Sequence, residues 1–228
     1  VLDRSGSMGN PWGPVETYWS KLVQAANNLL DTFDANGQTK VRLVSFANTG
    51  TTHGTEWLTV AEAKAIINAM TVPIAGPGTN YDAALNVAMS AFSTTTGRLA
   101  GANNYSYFLT DGIPTWGDGN DTVLLNQQTN GLEVGIQPAE ETLWKNFLGS
   151  NKIVSQSLGF SPSFDSTKQA MLDPIAYNGA TSTEMNGVFV PNPNDLSSVL
   201  VGMAPTPSSI SGTVVGGLGV DATTGQSE

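Results

Sequence analysis

Apolar and polar positions follow two periods along this chain. From Val15 to Phe33 the apolar residues Val15, Trp19, Leu22, Val23, Ala26, Leu29, Leu30 and Phe33 recur every three or four positions, the spacing of a helix with one buried stripe. Asn36-Gly37 ends that run. Val41–Phe46 is β-branched and nearly continuous, as in a strand covered on both faces. A shorter, partly exposed strand is predicted over Thr51–Thr59. Thr59-Val60-Ala61-Glu62 fits a capping box that opens a short helix carrying Ala63, Ile66, Ile67 and Met70. A second strong helix places Tyr81, Ala84, Leu85, Ala88, Met89 and Phe92 on one side. Tyr105–Leu109 predicts a strand ending at Thr110-Asp111-Gly112, followed by a long polar loop from Ile113 to Pro138. Helices over Glu140–Leu148, Ser166–Leu172 and Asn194–Met203 and strands over Lys152–Leu158 and Val188–Val190 complete the pattern.

Strands alternating with helices predict an α/β fold: a Rossmann-like, doubly wound, mostly parallel central sheet flanked by helices. The expected domain spans residues 1–204. From Pro205 the pattern gives way to Pro, Ser and Gly, so 205–228 reads as a linker or the start of a neighbouring module. Val1-Leu2 reads as the end of a strand that begins upstream, as in a piece of a longer protein.

Composition narrows the function. Charged residues are 12% of the 228, about half the usual share of roughly 25%, which fits an exported or surface protein. The net charge of −10 repels a phosphate backbone, and no basic stripe offsets it, so nucleic-acid binding is discounted. The chain has no cysteine, which excludes disulfides and thiolate metal sites. No apolar run approaches the ~20 residues of a membrane span, and no signal peptide is present.

The chemistry gathers at predicted strand ends, where open α/β sheets place their ligands. Asp3, Ser5 and Ser7 follow Val1-Leu2, Asp111 follows Tyr107-Phe108-Leu109-Thr110, and Thr79 precedes the second helix. Each has a bland reading: turn residues for Asp3, Ser5, Ser7 and Asp111, and a helix N-cap for Thr79. Brought together, all five offer oxygen without His or Cys, a donor set for Mg²⁺, Ca²⁺ or Mn²⁺.

These stretches resemble a known family. "DRSGSM" is similar to the D-x-S-x-S motif of von Willebrand factor type A domains, "GPGTNYDAAL" to that family's second loop and "FLTDGIPT" to its third. In the family the three loops form a metal-ion-dependent adhesion site, and the order of elements matches from residue 1 to about 204. The resemblance implies one divalent cation, Mg²⁺ first and Ca²⁺ or Mn²⁺ as alternatives. Ser5 and Ser7 would be direct ligands, Thr79 a direct or water-mediated one, and Asp3 and Asp111 would act largely through water. An open coordination position would take a carboxylate from a host-cell or matrix protein. The implied role is adhesion by a monomeric module of a larger extracellular or bacterial surface chain, without enzymatic activity or membrane insertion. The alternative is an assembly module working with an AAA+ ATPase in metal insertion. The Ile113–Pro138 loop is longer than the family pattern implies.

Three further features are weighed. His53 is the only histidine and would have to serve any Ser–His–Asp triad, but no G-x-S-x-G elbow accompanies it. Trp12 and Trp116 flank the metal loops as candidate rim contacts. "GDGNDTV" at 117–123 and the more degenerate "GGLGVDATT" at 216–224 resemble single units of calcium-binding RTX repeats. A lone unit builds no roll, and a Gly/Asp turn is the favoured reading. The hint still fits the giant bacterial RTX adhesins in which von Willebrand A domains occur.

Overall fold

The computed structural model describes residues 1–206 except Ala75, Leu132, Ser163 and Phe164. The chain begins with β1 (Leu2–Asp3), a 3₁₀ turn (Gly6–Gly9) and a small hairpin of β2 (Pro11–Trp12) and β3 (Glu16–Thr17). Next come α1 (Tyr18–Asn36), β4 (Val41–Phe46), β5 (Gly50–Leu58), α2 (Val60–Ala69), α3 (Tyr81–Phe92) and β6 (Asn104–Thr110). The long loop contains a second hairpin, β7 (Trp116–Gly117) and β8 (Thr129–Asn130). The chain continues through α4 (Pro138–Asn151), β9 (Ile153–Phe160), α5 (Ser166–Gln169), β10 (Tyr177–Asn178), β11 (Thr183–Glu184), β12 (Val188–Val190) and α6 (Leu196–Gly202).

The central sheet has the order β11-β10-β9-β6-β1-β4-β5, with β12 on β9. Strands β4, β1, β6, β9 and β12 are parallel, while β5 and β10 run antiparallel to their neighbours. This is the doubly wound, mostly parallel architecture that the sequence predicts. Alternation along each strand divides the core. Leu2, Leu43, Leu109 and Leu158 meet α1, α2 and α6, while Phe46, Phe108 and Ile153 meet α3 and α4. Covering both faces buries β1 between β4 and β6, so loops leaving the carboxyl ends of β1 and β6 emerge side by side. At the opposite end, β4 and β6 border a cavity of about 600 Å³ lined by Val1, Phe33, Leu43, Tyr105 and Ile153, among others.

Helix starts follow side-chain capping. The Thr17 hydroxyl accepts from the Ser20 N–H (3.1 Å) while the Ser20 hydroxyl accepts from the Thr17 N–H (2.9 Å). This reciprocal cap starts α1 at Tyr18, later than the apolar periodicity implies, and Val15 lies 90% exposed between β2 and β3. The predicted box at Thr59 and Glu62 forms as expected. Helix α5 is shorter than predicted, ending at Gln169. At α3 the cap is Asn80, whose Oδ1 accepts from the Ala83 N–H (3.0 Å). The N-cap role offered as the bland reading of Thr79 therefore belongs to its neighbour. The predicted linker, apart from Pro205 and Thr206, lies outside the described residues, as does the RTX-like stretch at 216–224.

Candidate metal centre

Strand β1 ends on Asp3, fully buried between β4 and β6. One carboxylate oxygen accepts from the Ser5 N–H (2.6 Å) and the other from the Thr110 hydroxyl (2.5 Å). The first bond folds the chain back at once, so Ser5 and then Ser7, in the 3₁₀ turn, come to one place. Their hydroxyl oxygens lie 3.1 Å apart. Ser7 Oγ then donates to Asp111 Oδ1 (2.8 Å), just past the end of β6. Asp3, Ser5, Ser7 and Asp111 thus form one continuous oxygen cluster, linked by these bonds across the adjacent strands.

Thr79 reaches this edge on the second loop. The Gly6 N–H donates to the Pro77 carbonyl (2.8 Å), docking the first loop on the second. The Thr79 N–H donates to Thr115 Oγ1 (3.0 Å), and its carbonyl accepts from the Thr115 and Trp116 N–H groups (2.8 and 3.0 Å). The Thr79 residue is buried. No hydrogen bond joins its hydroxyl to the other four residues, so it stands beside the hydrogen-bonded group and not within it.

The electrostatics suit a cation. Burial pushes the Asp3 and Asp111 carboxyls above the usual carboxylate range, and the Asp3 charge adds to the shift at Asp111. The nearest basic residue in sequence, Arg4, gives no relief. Its guanidinium donates to the Thr71 carbonyl (2.7 Å) and lies over the Trp19 ring (5.3 Å). Two buried carboxylates beside two hydroxyls, with no cationic side chain among the described residues paired to them, are a donor set that fits a hard divalent ion.

Three supporting residues escaped the sequence reading. Thr110 orients Asp3, Thr115 holds Thr79, and the fully buried Tyr81 donates its phenol to the Gly112 carbonyl (2.7 Å). The only available signal was their place inside the second and third motifs. Trp116 lies so close over Gly78 that a Cβ there would meet its ring at 1.8 Å. Trp12 donates to Asn194 Oδ1 (3.3 Å), and its ring centroid lies 6.0 Å from that of Tyr18. His53 Nε2 and Ser45 Oγ lie 2.8 Å apart as a cross-strand pair between β4 and β5. That contact was not anticipated from the sequence. Among the described residues, no carboxylate is hydrogen-bonded to the ring.

Residues 1–113 match the sequence profile of the von Willebrand factor type A domain, a segment that includes all five candidate ligands. No curated protein matches the chain. Among solved structures, the chain is similar to a von Willebrand factor type A protein from Catenulispora acidiphila (TM-score 0.56, 18% identity). That likeness covers 89% of this chain and 40% of the other. It also resembles the pilus adhesin SpaC from Lactobacillus rhamnosus GG in its open conformation (TM-score 0.62, 14% identity), over 88% of this chain and 28% of that one. A third likeness is to the vWF domain of the type V pili tip protein Mfa5 from Porphyromonas gingivalis (TM-score 0.62, 12% identity), over 87% and 90% of the two chains. With the family match over residues 1–113 and the likeness of fold to these structures, the chain carries a von Willebrand factor type A domain.

Proposed function

We propose that this domain is an adhesion module that binds an acidic group of a partner protein through a divalent cation, Mg²⁺ first. Asp3, Ser5, Ser7, Thr79 and Asp111 hold the ion. The observation that carries this reading is the hydrogen-bonded run Ser5–Ser7–Asp111, joined at the carboxyl ends of β1 and β6 to no basic side chain. Hydroxyl ligands are neutral, so a cation held largely by them keeps much of its charge. The chain's charge of −10 opposes an acidic partner at long range, so the attraction must come from the ion at contact distance. Binding is the chemistry of this edge: the cation recruits a carboxylate and breaks no bond. The likeness to a pilus adhesin and a pilus tip protein supports a place at a cell surface, on a larger chain and facing a host-cell or matrix protein. No helix among the described residues is long and apolar enough to cross a membrane.

The test is adhesion of the 228-residue chain to immobilised matrix proteins and cells, in chelator and after returning Mg²⁺ or Mn²⁺. Binding should vanish and return. Thr79→Ala should lower adhesion while leaving the fold intact, because Asn80 does the capping. Full adhesion in chelator would sink the reading.

A further inference from the structure

A second group of acids gathers at the starts of α3 and α4, and one of them, Asp82, belongs to the second motif. Asp82 is in the first turn of α3, Glu140 in the first turn of α4, and Asp118 and Glu133 are on the long loop between β6 and α4. One carboxylate oxygen from each lies within 4.8 Å of the others. Asp82 and Glu140 are fully buried, and Asp118 and Glu133 are 7% and 9% exposed. Both oxygens of Asp82, Oε2 of Glu133 and Oε1 of Glu140 are buried without a hydrogen-bond partner. None of the ion pairs among the described residues involves these four.

We propose that Asp82, Asp118, Glu133 and Glu140 form a second cation site, for Ca²⁺, that fastens the long loop to helices α3 and α4. Burying a bare carboxylate is costly, and burying four together compounds the cost with mutual repulsion. Burial first, then the charges of Glu140, Glu133 and Asp118, push the Asp82 carboxyl up to about 9. Burial, with the neighbouring acids, raises Glu140 to about 7. Four buried carboxylates at one point, three of them with an unpartnered oxygen, need protons or a cation, and the geometry favours the cation. Oxygens on opposite sides of a Ca²⁺ at 2.3–2.6 Å stand about 4.6–5.2 Å apart, against about 4.0–4.2 Å for Mg²⁺. Oxygens within 4.8 Å of one another leave room for the larger ion. An all-carboxylate protein cage is likewise a Ca²⁺ habit, since Mg²⁺ keeps most of its waters.

The backbone is shaped for the cage. Asp118 is pinned by the N–H groups of Asn120 and Leu125 (both 2.7 Å). A Cβ on Gly117 would lie 1.8 Å from the Glu133 carbonyl, so only glycine lets β7 close on the loop at Glu133. Asp118 belongs to the RTX-like "GDGNDTV", but it meets acids from two helices and a hairpin here, not a stacked roll.

The test uses the 228-residue chain, stripped with chelator and titrated with CaCl₂ in a calorimeter on an Asp111→Ala background. That background disables the adhesion site, so failure of the adhesion reading cannot masquerade as failure here. One Ca²⁺ should still bind, and Asp82→Asn with Glu140→Gln should abolish it. The metal-free double variant should melt no lower than its metal-free parent, because it loses repulsion and not packing. Should that variant misfold, Glu133→Gln on the loop should weaken Ca²⁺ by about 10–100-fold. Absence of Ca²⁺ binding on the Asp111→Ala background overturns the proposal. Unchanged Ca²⁺ affinity in Glu133→Gln overturns it as well. Equal affinity for Mg²⁺ overturns the choice of ion.

Discussion

Two acidic clusters lie at the α3 end of this domain, and the difference between them is what else occupies the space. At the three-motif edge, Asp3 and Asp111 share their place with the hydroxyls of Ser5, Ser7 and Thr110. Around Asp82, four carboxylates face one another, and among the described residues no hydroxyl or basic group pairs with them. A divalent ion at the first cluster meets two negative charges and neutral hydroxyls, and retains affinity for an outside carboxylate. At the second cluster it meets four negative charges, more than it carries, and gains nothing from another acid. On the two proposals, the same hard-cation chemistry would recruit a partner at one place and fasten a loop at the other. The charge of the donor set decides which.

The largest expected effect tests whether the two clusters are separate. Asp111→Ala should cost the first site about 10–100-fold in Mg²⁺ affinity and eliminate chelator-sensitive adhesion, while leaving the Ca²⁺ response intact. Calorimetry with each ion, side by side, reads this directly. Loss of both ions together would merge the clusters into one linked site.

A second experiment measures fastening against recruiting. Ca²⁺ at 100 times its Kd stabilises the protein that binds it by about 2.7 kcal/mol, which for a chain of this size raises the melting temperature by about 5–11 °C. The Asp82→Asn, Glu140→Gln variant should show no such rise. A full rise in that variant would place the stabilising ion elsewhere.

Two glycines sharpen the contrast further. Gly117→Ala drives a methyl into the Glu133 backbone, an overpacking worth about 1–3 kcal/mol. It should weaken Ca²⁺ and spare Mg²⁺. Gly78→Ala drives a methyl into the Trp116 ring next to Thr79 and should do the reverse. Denaturant melts and paired titrations check both, and identical ion profiles for the two variants would break the distinction.

The smallest effect separates the one histidine from the acids. Burial, and then the Arg4 charge, hold the His53 imidazole below its usual pKa. Above pH 6.5 the ring is neutral in both folded and unfolded chains and contributes nothing. As the pH falls through 6.5 toward the folded value, only the unfolded chain gains the proton, and stability is lost. His53→Gln should flatten that part of the profile between pH 7 and 5. A matching slope in parent and variant urea melts would assign the loss to other groups.

The legible parts were those written in contiguous residues. Leu22, Ala26 and Leu29 reported α1 because a helix repeats its buried face every three to four positions. Asp3, Ser5, Ser7, Thr79 and Asp111 were legible because the carboxyl ends of parallel strands must share an edge, so short motifs there converge. The periodicity misplaced the start of α1, since Val15 keeps the helical spacing while Thr17 and Ser20 set the cap. It also passed over the hairpin of β7 and β8, whose strands are two residues each and too short to show alternation.

By itself the sequence determined the order of elements, the doubly wound sheet and the five oxygen donors at its edge, because hydrophobic period and strand-end position are local properties. Only the tertiary structure decided that Asn80 and not Thr79 caps α3, that Thr110 and Thr115 hold the motif residues, and that Asp82, Asp118, Glu133 and Glu140 face one another. Those four acids carry no common spacing along the chain. They meet because a polar loop folds back over the starts of two helices, and the repulsion of buried like charges arises only once packing has closed them in.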